Sequence, residues 1–555
     1  MEIKIMLITQ PRATPVEVTV EEGTTLESLA RNYQDQLPYT VLAAKLDNRI
    51  VELTRTIESP CSTVEFLDMR DQAANLIYQR SISFVYLKAV RDVLGKVPVV
   101  IENSLNKGLY TEIGTPEPVT EEQVRQVEQR MRELVEKDIP FKKELMNRQD
   151  TLKVLIEDGH VGKVKMLQKS EVQFFPFYSL DGFRNFFYGH MTPSTGYLKH
   201  FELRKLRKGV LLRFPHPSKP DEMPPYVDEV LMYNVFAETK KWDRLMGISY
   251  VDDLNEKIES GEYKEIIQIS EALHEKKIAQ IADMITERKK RIVLICGPSS
   301  SGKTTFARRL IIQLRVNGLK PLYLGTDDYF VERPQTPKDE HGEPNFEDIE
   351  ALDIELFNRD MNALLAGKEV DIPTFDFLRG TKVFGKRITR VEKDQPIIIE
   401  GIHSLNRLLT EKIPDEEKFK IYISPLTQLN IDEHNRIPTT DARMLRRLVR
   451  DYQFRGHSAQ STIRSWPKVR KGEDKNIFPF NREADVFFNS VHVYELAVLK
   501  KYAEPLLRSV NRTEPEYAEA VRMLKFLQYF KTIEDDSMIA NNSILREFIG
   551  GSIFV

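Results

Sequence analysis

The stretch Arg291–Phe306, RIVLICGPSSSGKTTF, decides how this chain is read. RIVLIC is a short apolar run with charge on one side and Gly297 on the other, the pattern of a buried parallel strand. Gly297, four residues, Gly302, Lys303 and Thr304 then satisfy GxxxxGK[ST], and TFARRLIIQLRVNG continues as a helix that Gly318 stops. From Gly297 through Ser299, Ser300, Ser301, Gly302, Lys303, Thr304 and Thr305, the backbone N–H groups are expected to converge on phosphate oxygens, helped by the helix dipole. Lys303 is placed to bridge the β and γ phosphates and Thr304 to offer its hydroxyl to Mg²⁺.

Working outward, KPLYLGTDDYF reads as a second strand ending in two carboxylates and two aromatics. Either Asp327 or Asp328 can orient and deprotonate an attacking hydroxyl, and both can instead hold magnesium through water. A third strand, QPIIIEGIHSL, carries Glu400 after its apolar run, where a carboxylate can hold a water of Mg²⁺ or cap the next helix. DARMLRRLVRDYQFRGHS predicts a helix with Arg443, Arg446, Arg447 and Arg450 on one face. Such a face repels itself unless anions or acidic side chains meet it, so it is expected to act as a lid over a triphosphate.

The ordered set GPSSSGKTT, TDDYF, PNFEDIEALDIELF, IPTFDFLRGTK, IIIEGIH, RMLRRLVRDYQFRG and PFNREADVFFNS resembles the uridine kinase and phosphoribulokinase family, nearest its nucleoside kinase branch, over about residues 290 to 500. The resemblance implies an α/β P-loop domain, with a parallel sheet, that moves the γ-phosphate of ATP to a nucleoside 5′-hydroxyl, with uridine or cytidine expected as in pyrimidine salvage. It implies Asp327 as the base, with Lys303 and Arg446 stabilising transferred charge. Thr304 and Glu400 would set the magnesium. Phe330, Phe346, Glu347, Phe375, Phe377, Arg443, Arg446 and Arg447 would surround the acceptor. Two positions depart from the family: Phe375 stands where a tyrosine is usual and Gly380 where a histidine reads the pyrimidine. A site with fewer hydrogen bonds discriminates less, so a purine nucleoside, a sugar phosphate or another hydroxyl compound is the alternative acceptor.

A great deal of protein precedes this machinery. At 555 residues the chain exceeds what one core supports, and 41% hydrophobic with 30% charged residues describes a folded chain. EGTTLESLA, AAKLDNRIVEL and VEFLD resemble the small β-grasp TGS domain of threonyl-tRNA synthetases, over residues 1–67. IYQRSISFVYLKAVRDVLG, EEQVRQVEQRMRELVEKDIPF and GHMTPSTGYLKHFELRKL resemble the synthetase's second additional domain, an α+β unit placed at residues 68–240. That domain edits mischarged tRNA through an HxxxH pair and a later cysteine and histidine. Here Arg80 and Phe84 stand in the pair, Phe186 and Phe187 lie near the missing cysteine, and only His190 remains, so editing does not carry over. A helical linker at 241–289, the kinase domain at 290–503 and a helical tail at 504–555 complete the expected division.

A net charge of -3 makes no electrostatic case for nucleic acid, although KHFELRKLRKGVLLRFPHPSK is locally basic. RNA binding by the synthetase-like front half, with ATP as a switch, is therefore the reading from another class. Two cysteines, Cys61 and Cys296, exclude a disulfide framework and fit a reducing cytoplasm. No uncharged apolar run reaches the length of a membrane span, so neither secretion nor membrane insertion is expected. The apolar tail SILREFIGGSIFV is expected either to be buried or to meet another subunit.

Overall fold

The computed structural model describes residues 2–11, 13–169, 173–339 and 342–555. At the N-terminus a five-stranded mixed sheet packs on the helix Leu26–Tyr33, whose first turn is capped by Thr25 accepting from the Ser28 N–H at 3.1 Å. Its hairpin turns at Asp47 and Asn48, both in the left-handed region at φ 45° and 61°, and its last strand is Thr63–Leu67.

The next unit is built on the 23-residue helix Gln72–Leu94, capped by Asp71, against the helix Glu121–Glu136 and a four-stranded sheet. Where the synthetase pattern has editing ligands, side chains now fill the space. Arg80 lies over the Tyr188 ring, 5.4 Å from its centroid, and Phe84 meets Phe187 at 5.8 Å. His190 Nδ1 is 3.5 Å from the Glu52 carboxylate, which hydrogen bonds from His190 and Tyr178 hold at a pKa of about 2 although burial acts to raise it.

Part of the filling comes from the other half of the chain. The buried His434 stacks on Phe187 at 6.1 Å, and its Nδ1 lies 2.8 Å from the fully buried Lys163 ammonium. Asn430 Nδ2 donates to the Ile101 carbonyl at 3.0 Å, and the Ile101 N–H returns a bond to the Glu433 carbonyl at 2.8 Å. Buried polar contacts of this kind fix one docking geometry, because each group lost from the network leaves another unsatisfied.

Three helices, Val230–Leu245, Val251–Ser260 and Tyr263–Glu287, lead into a five-stranded parallel sheet. Its strands lie in the order Leu322–Gly325, Ile397–Glu400, Ile292–Cys296, Lys418–Ser424, Val486–Asn489. Ile292–Cys296 is central and buried throughout, as its unbroken apolar run requires. The helix Val230–Leu245 runs through the boundary expected at 240, and Glu495–Arg508 through that at 503. The C-terminal tail folds back onto the sheet, burying Ile544, Leu545, Phe548 and Ile549. No helix among the described residues is long and apolar enough to cross a membrane.

Candidate active site

The loop after the central strand closes on the helix Lys303–Val316, with Ser300 and Gly302 in the left-handed region at φ 61° and 85°. Gly297 has to be glycine: a Cβ there would lie 2.1 Å from the Ile423 carbonyl oxygen. The strand ends then bring the sequence-predicted groups together. The Thr304 hydroxyl donates to Glu400 Oε2 at 3.3 Å, and the Tyr323 hydroxyl donates to the same oxygen at 3.2 Å. Burial pushes Glu400 up to about 6, with Lys303 acting to lower it and Asp327 and Glu547 to raise it.

Asp327 and Asp328, equivalent in the sequence, differ in space. Asp328 pairs with Arg387 at 2.6 Å and accepts the Phe375 N–H at 3.4 Å. The Asp327 carboxyl makes no hydrogen bond or ion pair with any described residue and is exposed, while its backbone carbonyl accepts the Phe330 N–H at 3.4 Å. The surrounding protein mass raises its carboxyl above the ordinary value, Lys303 and Arg455 opposing this and Asp328 adding to it.

Beyond Asp327 lies an aromatic patch. Phe330 contacts Phe346, Phe375 and Phe377 edge-on at 5.8, 5.6 and 6.3 Å, and Phe375 meets Phe377 at 5.2 Å. Phe377 and Phe346 remain 59% and 41% exposed, which leaves aromatic surface open beside the carboxyl. Glu347, next to Phe346, is pinned by the helix Ala459–Asn476, whose Asn476 Nδ2 donates to its carbonyl at 2.7 Å. Burial raises the Glu347 carboxyl, Glu473 adds to this, and Arg447 opposes it. The space beside Gly380 is taken: a Cβ there would meet the Arg333 side chain at 2.7 Å, and Arg333 bonds to the Phe377 carbonyl.

The arginine helix, Thr439–Arg455, corrects the expectation of a lid. Arg443 and Arg446 are buried and face acids from distant segments, Arg443 forming a two-point pair with Glu473 and Arg446 with Glu495, the latter at 2.6 Å. Both also donate to the phosphate loop from behind, Arg443 to the Ser299 carbonyl at 3.2 Å and Arg446 to the Ser300 carbonyl at 3.3 Å. Their charge is neutralised and their donors are engaged, so they brace the loop. Arg447 alone of these three turns to its front, donating to the Ser299 hydroxyl at 2.9 Å.

Three carboxylates here were not singled out from the sequence. Glu473 accepts from the Ser299 N–H at 3.1 Å, Glu495 holds Arg446, and Glu547 accepts from the Thr305 N–H at 3.2 Å and hydroxyl at 2.8 Å. Each sits in a mixed-charge run, RKGEDK, YELAVLKK or ILREF, that reads as an ordinary helix face, and only tertiary folding delivers it to the loop.

A parallel sheet with a phosphate loop after its central strand, a Walker-type carboxylate and an unpaired aspartate defines the P-loop kinase class. The family described as Phosphoribulokinase / Uridine kinase matches residues 292–497. The uridine kinase of Ligilactobacillus salivarius (strain UCC118) is 31% identical over 201 residues, covering 36% of this chain and 85% of that protein. The chain belongs to the phosphoribulokinase and uridine kinase family, a family of phosphotransferases. Its N-terminal part is similar to threonine–tRNA ligases. The ligase of Caldanaerobacter subterraneus subsp. tengcongensis is 26% identical over 203 residues, 36% of this chain and 31% of that protein, so the chain spans about a third of the ligase's length. A solved structure described as a "possible uridine kinase" from Bacillus stearothermophilus aligns with TM-score 0.24 at 22% identity, over 36% of this chain and 88% of that one.

Proposed function

We propose that the C-terminal half transfers the γ-phosphate of ATP to the 5′-hydroxyl of a nucleoside, uridine or cytidine first. The observation that carries this reading is the lone carboxyl of Asp327, unpaired between the phosphate loop and the aromatic patch while Asp328 is held by Arg387. In this reading the nucleoside lies against Phe330, Phe346, Phe375 and Phe377, with Glu347 available to its ribose hydroxyls. Asp327 accepts the proton of the attacking hydroxyl; the new O–P bond forms as the bond to the β-phosphate oxygen breaks, and ADP leaves. Lys303 and Arg447, both bonded to the phosphate loop, would stabilise the charge that develops on the transferred group.

The side chains also fit a magnesium ion: the Thr304 hydroxyl and Glu400 carboxylate, 3.3 Å apart beside Lys303, offer one direct oxygen ligand and one acceptor for a metal-bound water. When bound, the ion would neutralise charge on the β and γ phosphates.

A second acceptor class is favoured by Arg333, whose guanidinium occupies the space beside Gly380 where family members carry a base-reading histidine. A cation at that edge suits an acceptor with an anionic or carbonyl-rich group, such as a sugar phosphate. The test is a panel of pyrimidine nucleosides, purine nucleosides and sugar phosphates with γ-labelled ATP. Label on uridine or cytidine, lost in Asp327→Asn, supports the first reading; transfer to no nucleoside overturns it.

A further inference from the structure

Away from the phosphate loop, the helices Val230–Leu245 and Tyr263–Glu287 and the edge strand Val486–Asn489 line a half-open cavity of about 230 Å³. No residue of the phosphate loop or of the aromatic patch lines it. Its walls are mostly apolar, but several buried polar side chains on them lack partners, which in a native protein calls for a reason. Asp243 is 7% exposed, and its carboxyl pairs with no cation and accepts no hydrogen bond among the described residues. Burial alone pushes it up to about 7. The Ser270 and Thr427 hydroxyls and Gln428 Oε1 are likewise buried without partners.

The histidines add to this. His274 Nε2 lies 3.2 Å from the Val491 carbonyl, which can only accept, so this nitrogen carries the proton and Nδ1 is left a buried lone pair without a partner. The His492 ring, tilted by 32°, has its centroid 4.0 Å away, and burial drops both imidazoles well below their ordinary value, so both are neutral.

This inventory selects a ligand. The Asp243 carboxylate, His274 Nδ1 and Gln428 Oε1 are acceptors, so the complement must be rich in N–H donors. Of the two lysines on the lining, Lys276 is exposed and Lys277 is paired with Glu238 at 3.0 Å, so no buried cation meets the carboxyl of Asp243 and the site does not suit a phosphate compound. The volume, below the ~300–1,000 Å³ of sites for drug-sized molecules, suits a group of one or two rings. We propose that this cavity binds an amino-substituted nitrogen heterocycle of one or two fused rings, its amino group on Asp243 and its flat faces on the apolar walls.

The floor of the cavity is also joined to the phosphate loop. The His492 backbone N–H donates to Glu495 at 3.0 Å, Glu495 holds Arg446 at 2.6 Å, and Arg446 donates to the Ser300 carbonyl at 3.3 Å. Occupancy is therefore expected to change nucleotide affinity, a coupling that rests on the ATP reading above while the binding itself does not.

Trp242 lines the cavity and the only other tryptophan is Trp466, so the full chain carrying Trp466→Phe reports on the cavity by Trp242 emission. Cytosine and adenine are the probes, with uracil, which lacks the amino group, as control. The expected result is saturable quenching by cytosine or adenine and not by uracil, weakened about tenfold in Asp243→Asn and abolished in the cavity-filling Ser270→Leu. No saturable change with either amino base, equal binding of uracil, or titrations unmoved in Asp243→Asn would overturn the proposal. Asp243→Asn keeps the side chain's shape, so the test stands even if Ser270→Leu fails to fold. Binding that leaves ATP affinity unchanged would keep the site and overturn its coupling to the loop.

Discussion

Glu547, from the short helix Arg546–Ile549 near the C-terminus, accepts hydrogen bonds from both the backbone N–H and the hydroxyl of Thr305, in the first turn after the phosphate loop. First-turn N–H groups are the donors such a loop offers to a nucleotide's phosphates, so in the proposed reading the tail's carboxylate would compete with ATP for the same group. Removing its charge in Glu547→Gln is expected to tighten ATP binding about tenfold, as the loss of one charged hydrogen-bond competitor implies. Equilibrium titration of ATP with magnesium checks this; unchanged or weaker binding would show that the tail does not compete.

The two adjacent aspartates should separate cleanly in kinetics and stability. Asp327→Asn is expected to lower kcat by roughly 10²- to 10⁴-fold, the range for a general base, without lowering the melting temperature, because nothing pairs with that carboxyl and burial disfavours its charge. Asp328→Asn should instead lower the melting temperature, since it leaves Arg387 without its acid. The reverse pattern would move the base to Asp328.

Arg446 and Arg447 are neighbours with different fates. Arg446→Ala strands the fully buried Glu495 and is expected to cost about 3–5 kcal/mol in denaturant unfolding. Arg447→Ala removes one of the three guanidinium groups around Asp451, which keeps Arg450 and Arg455, so it is expected to cost less stability than Arg446→Ala and to lower turnover through its lost contact with the Ser299 hydroxyl. Equal destabilisation by both would assign both to the frame.

Glu400 gives stability a pH dependence. Its folded value of about 6 lies above the ordinary 4.5, so the folded state holds the proton more tightly, and stability falls as pH rises from about 4.5 to 6. Glu400→Gln cannot titrate and should therefore gain on the native protein above pH 6, with the difference shrinking toward pH 4.5. Melting curves of both proteins at pH 5 and pH 8 decide it.

The strand, loop and helix of Arg291–Val316 were legible because every signal in them is local: an apolar run, glycines where backbone crowds backbone, and a helix-period pattern. The aromatic patch was partly legible, since Phe330, Phe346, Phe375 and Phe377 follow a family order, but the sequence had no means of saying that Arg333 would take the space beside Gly380. The arginine helix was misread for a physical reason. Four like charges on one face require anions, and the sequence does not say whether a nucleotide or Glu473 and Glu495 supplies them. Val230–Leu245 carries no single apolar face, its apolar residues being spread between two packing partners.

Lys163 and His434, buried side by side, tie the synthetase-like unit to the kinase half through groups that cannot be parted without stranding a charge. Thermodynamically this makes the chain one ledger of protection: whatever binds either end defends both. A ligand at a hundred times its Kd raises unfolding free energy by about 2.7 kcal/mol. An RNA or metabolite held by the front half would therefore announce itself as a higher melting temperature of the kinase, without touching its active site.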